Sequence, residues 1–128
     1  MTKEELKTRT KAFTIMVFKF LKTLSSGRDV DTVAHQLMRA SSSVGANYRA
    51  VCRGKSPADF LNKLKVVDEE ADECLFWMEM IDELEWKCDK NELQYLMKEA
   101  NELVSIFSAS IKTLKIKNQS GFEKILNS

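Results

Sequence analysis

The run Asp68–Glu73, "DEEADE", is the densest cluster of carboxylates in the chain. Carboxylate oxygens are the ligands that hard divalent cations take, so the run admits a cation. On a helix the same spacing also makes a solvated face, or a row of partners for cations elsewhere. The only histidine is His35. A di-iron bundle needs two Glu-x-x-His motifs, and there are none. Nothing in the sequence frames His35 as part of a catalytic set, so it is expected as a partly exposed helix residue. The three cysteines, Cys52, Cys74 and Cys88, are widely spaced and form no C-x-x-C pair. That argues against a disulfide framework and a zinc site, and for reduced, mostly buried thiols in a cytoplasmic protein. Phosphate-binding and dinucleotide-binding glycine patterns are also lacking. The expectation is therefore no catalytic residue, no metal and no cofactor, and a protein that is not an enzyme.

The cations offer more. Arg39, Arg49, Arg53 and Lys55 fall together, and Lys3, Lys7, Arg9, Lys11, Lys19, Lys22 and Arg28 precede them. Residues 1–57 carry 11 Lys/Arg against 4 Asp/Glu, whereas residues 58–107 carry 5 against 14. A basic patch binds phosphates through counterion release, which makes Arg39, Arg49, Arg53 and Lys55 nucleic-acid-binding candidates. The whole-chain pI of about 7.7 is below the strongly basic range of dedicated nucleic-acid binders. A solvated basic face therefore stands as the alternative. The polarity also lets the basic first half meet the acidic second half. Within one chain this aids packing; between copies it makes a head-to-tail contact, which closes into rings.

These residues need elements to hold them. Four glycines and one proline in 128 residues favour long helices over a sheet. Thr2 with Glu5 forms a capping box. Phe13, Met16, Phe20, Leu21 and Leu24 follow at helical spacing, which predicts a first helix over 3–25 with Gly27 as a left-handed cap. Asp29 or Asp31 can cap the second. In it Val30, Leu37, Val44 and Val51 lie seven apart, with Ala34, Ser41 and Tyr48 between them. The stretch "ASSSVGAN" within this helix is poor in propensity, Gly costing about 1 kcal/mol against Ala. Either a neighbouring helix comes close there, or the helix is weak and bends.

Ser56, Pro57 and Asp59 open a third helix over 57–86. Its main stripe is Phe60, Leu64, Val67, Ala71, Cys74, Met78 and Ile81. Phe76, Trp77 and Met80 lie beside that stripe and suggest a second contact surface. Asp89 and Glu92 open a fourth helix over 90–115. The predicted fold is all-α, an antiparallel up-down-up-down four-helix bundle over residues 1–116 with a polar, mobile tail over 117–128. No apolar run approaches the roughly 18 residues of a membrane span, and no secretory signal opens the chain.

The pattern Arg39, Ser43, Asn47, Arg53, Lys55, Phe60 and Leu61, followed by Glu70, Asp72, Glu73 and Trp77, resembles that of a bacterial family. These are the four-helix-bundle proteins encoded within intervening sequences of 23S rRNA genes, once called ribosomal. The resemblance covers about residues 10–115. It implies a bundle that assembles as a ring, a pentamer, and carries over no catalytic residue. Accessory proteins of diversity-generating retroelements are similar in fold. They bind nucleic acid and a reverse transcriptase, and are more basic than this chain. The resemblance makes RNA or a nucleic-acid-processing protein a partner to expect, and a protein-interaction scaffold without RNA is the alternative. Asn47, Glu70, Glu73, Phe76, Trp77 and Met80 become oligomer-interface candidates. Arg39 and Arg53 can pair with Glu70 or Glu73, within or between chains. If paired they are structural; if free they are available for phosphate.

Overall fold

Helices α1, α3 and α4 start where their cap chemistry places them in the computed structural model, which describes the backbone of residues 1–127 and the side chains of residues 1–117. Helix α1 (Lys3–Leu21) begins with the Glu5 N–H donating to Thr2 Oγ1 at 3.1 Å. Helix α3 (Pro57–Glu83) begins with the Asp59 N–H donating to Ser56 Oγ at 3.1 Å, and Pro57 occupies its first turn. Helix α4 (Lys90–Asn127) begins with the Glu92 N–H donating to Asp89 Oδ1 at 3.1 Å. Such a cap contributes about 1 kcal/mol by satisfying an otherwise orphaned donor. The Asp59 carboxyl also accepts from Lys63 Nζ and from the Lys55 N–H. These bonds, that of Lys63 foremost, hold its pKa below the ordinary carboxylate value.

Four boundaries differ from the sequence reading. Helix α1 stops at Leu21, because the Lys22, Thr23 and Leu24 N–H groups turn back to the carbonyls of Lys19, Phe20 and Leu21. Gly27 is not a left-handed cap: its φ of 163° is extended, and it precedes helix α2 (Arg28–Val51). Neither aspartate occupies the cap position; Asp29 and Asp31 sit in the first turn, where the helix dipole favours them. Helix α3 ends at Glu83 rather than 86. The Glu85 N–H donates to Asp82 O and the Trp86 N–H to Ile81 O, a Schellman closure with Glu85 at φ 56°. Glycine ordinarily marks that position, and its absence hid the stop. A left-handed non-glycine residue is strained, so Glu85→Gly is expected to raise stability by about 0.5–1 kcal/mol in urea unfolding. A loss of stability there would mean that the Glu85 side chain stabilises the turn.

Helix α4 runs on to Asn127, past the expected end near 115. No glycine or proline interrupts Leu114–Lys117, so nothing local stops the backbone when the apolar stripe ends. The expected mobile tail over 117–128 falls, beyond Lys117, outside the residues whose side chains are described.

Cross-helix contacts run in opposite chain order at the α1–α2, α3–α4 and α1–α4 junctions. Thr14 of α1 meets Ser41 of α2, while Thr10 lies beside Gly45. Asp82 and Asp68 of α3 meet Gln94 and Ser108 of α4, respectively. Arg9 of α1 meets Glu99 of α4, and Thr23 meets Asp89. The four helices therefore alternate up and down around one core. Phe13, Val17, Leu37, Val44, Leu64, Met78, Leu96 and Phe107 are fully shielded there, and burying each such side chain contributes roughly 1.5–3 kcal/mol. Helices α1 and α3 sit diagonally, their backbones held apart. Among the described residues no helix is long and apolar enough to cross a membrane.

The serine-glycine stretch is helical and close-packed. The Thr14 hydroxyl donates to Ser41 O at 2.6 Å, and a Cβ on Gly45 would lie 2.7 Å from Thr14 Oγ1. Close approach of α1 is what the small residues serve.

Candidate functional site

Two oppositely charged outer faces and one basic end carry the residues that the sequence singled out. Arg39 projects from α2 to α3, where its guanidinium donates to Glu73 and, at 3.3 Å, to Glu70. It braces those helices within the chain and is not a free cation. The same contact occupies Glu70 and Glu73, which had been candidates for an interface between copies. Asn47 lies half-buried on α2, its amide donating to Ser43 O at 2.9 Å and Ser43 Oγ at 2.7 Å. Its hydrogen bonds therefore stay within its own helix.

Arg49, Arg53 and Lys55 are exposed around the α2–α3 turn, and none forms an ion pair among the described residues. Beside them lies an open cavity of about 750 Å³ with Tyr48, Phe60 and Leu114 in its walls and Lys3, Lys55 and Lys117 among its cations. Lys3 Nζ stands 4.5 Å from the Phe60 ring centre, a cation–π contact. Burial, reinforced by Cys52, pushes the Tyr48 hydroxyl up to about 12, so it stays protonated near neutrality.

On α3 the aromatic pair is asymmetric. Phe76 is 50% exposed, whereas Trp77 packs edge-on against it and half enters the core. The Trp77 indole N–H is shielded from water yet has no acceptor among the described residues. Glu69, Asp72, Glu79 and Glu83 are exposed one or two turns from Phe76, and Met80 is half-buried next to it.

His35 is exposed on α2 and shares a shallow hollow with Asp31 and Gln36. The Cys74 thiol is buried, and that burial, helped by Glu70 and Glu73, pushes its pKa well up. Burial also raises Cys88 and Asp68. Raised thiols are poor nucleophiles, since the thiolate is the reactive form. Among the described residues no three His, Cys, Asp or Glu side chains gather in a way that could hold a metal ion.

Two features escaped the sequence reading. Arg9 bridges α1 to Glu99 and Glu102 of α4, with Glu99 only 9% exposed. An exposed groove between α1 and α2 is lined by Ile15, Phe18, Leu21 and Met38 with Lys19 and Lys22. The repeat Ile15–Phe18–Lys19–Lys22 signals that second face, but a stripe centred on Phe13, Val17 and Phe20 masks it.

No curated protein matches the chain. Among solved structures it is similar to a protein of unknown function from the S23 ribosomal protein family of Bacteroides thetaiotaomicron VPI-5482. The two share 25% sequence identity with a TM-score of 0.77, over 88% of this chain and 99% of that one. The family described as 23S rRNA-intervening sequence protein matches residues 3–109, the four-helix core with its Arg39 brace and basic turn. On that match and on its fold, the chain belongs to the 23S rRNA-intervening sequence protein family.

Proposed function

We propose that the protein is a non-catalytic cytoplasmic bundle that assembles with copies of itself into a ring and serves as an accessory to RNA or a nucleoprotein. The observation that carries this reading is the unneutralised cluster Arg49, Arg53 and Lys55 at one end of a bundle whose other cation in the set, Arg39, is paired. Cations gathered at a helix end and the turn after it release counterions when they meet phosphates. A ring would repeat that cluster around one rim and multiply weak contacts into avidity.

The test is a titration of single-stranded and duplex RNA at two salt concentrations, with light scattering on the same samples. Reversing Arg49 and Arg53 together to glutamate is expected to weaken binding at least about tenfold and flatten the salt dependence by about two counterions, with the assembled mass unchanged. Binding undiminished in that variant would rule out this surface. The capture of Arg39 by Glu70 and Glu73 favours a second reading, an interaction scaffold without RNA. That reading holds if wild-type protein assembles but binds no RNA at either salt concentration.

A further inference from the structure

We propose that Phe76 on α3 of one copy docks into the groove between α1 and α2 of the next, head to tail. This rests on the self-assembly proposed above and identifies its two halves.

The donor half is an aromatic ridge. Phe76 is half exposed, and the exposed carboxylates Glu69, Asp72, Glu79 and Glu83 surround it on the same helix. The acceptor half is a groove of about 590 Å³ floored by Ile15, Phe18 and Met38, which are 45%, 39% and 38% exposed. Its rim carries Lys19 and Lys22, with Lys11 a turn away, all exposed. An apolar knob ringed by negative charge thus has its complement in an apolar slot edged by positive charge. Apolar contact supplies affinity, and opposite rims steer the approach and fix the register. The two halves do not satisfy each other within one chain, because the Phe76 ring and the slot residues Ile15, Phe18 and Met38 all stay exposed. A second copy is therefore the occupant that fits both. Since knob and slot lie on different faces, each copy offers one of each, and the contact propagates until rotation closes it.

The experiment uses the full chain and compares two variants, Phe76→Lys with the slot intact and Phe18→Glu with the knob intact. Helical content is read first by circular dichroism. The milder pair Phe76→Ser and Phe18→Ser replaces any variant that has lost it. Each variant alone is expected to be monomeric by sedimentation. Mixed in equal amounts, they are expected to form one-to-one dimers of about twofold mass and no more, because only one competent knob and one competent slot remain. A variant that keeps the wild-type mass, or a mixture that stays monomeric, overturns the docking while leaving self-assembly standing. A wild-type chain that stays monomeric at every concentration overturns both.

Discussion

Arg9→Ala is expected to lower stability by about 2–4 kcal/mol, the cost of leaving a shielded carboxylate without its partner. The Arg9 guanidinium donates to both oxygens of Glu99, with Nε at 3.0 Å from Oε2, and also to Glu102 at 2.7 Å. Glu99 is only 9% exposed with Arg9 in place, so water replaces the lost bonds only in part. Glu102 is half exposed, and its share of the loss is small. The bridge matters because α1 approaches α4 less extensively than it does α2. The double variant Arg9→Met with Glu99→Leu, which replaces both partners by apolar groups, is expected to be near wild type. Urea unfolding with unchanged m-values checks this, at one protein concentration because assembly adds to apparent stability. A loss below about 0.5 kcal/mol for Arg9→Ala would show a screened surface pair instead.

Gly45→Ala is expected to destabilise by about 1–2 kcal/mol, although alanine is the better helix former by about 1 kcal/mol. The new methyl would meet Thr14 Oγ1 at 2.7 Å, and threonine has few rotamers with which to yield. Displacing that hydroxyl also weakens its bond to Ser41 O. Overpacking and the lost hydrogen bond together exceed the gain in propensity. Thr14→Ala combined with Gly45→Ala removes the obstruction and is expected to recover most of the loss, a coupling that a double-mutant cycle measures. A stabilising Gly45→Ala would mean that α1 and α2 can part without penalty.

Those two sites show how unevenly the molecule can be read from its residues. Gly45 raised the right question, because a glycine among serines inside an apolar heptad contradicts local propensity, and close approach was one of two answers. Arg9 raised none: it is one of six cations on or just beyond α1, and its partner lies 90 residues away. The same limit held for Arg39. Its pairing with Glu70 or Glu73 was foreseeable as a possibility, but whether it joined one chain or two depended on where α2 and α3 cross. Glu85 was missed for the opposite reason: a left-handed cap without glycine leaves no compositional mark.

Helix number, order and the starts of α1, α3 and α4 follow from the chain alone, since 3.6-residue periodicity and side-chain caps are local. The split between a basic first half and an acidic second half is likewise written in the residues. Which charges neutralise each other is settled only by the packed bundle. So is the outward position of the Phe76 ridge and of the Phe18 slot. Pairing at 3 Å depends on rotation and register of whole helices, which are fixed collectively by core packing rather than by any one segment.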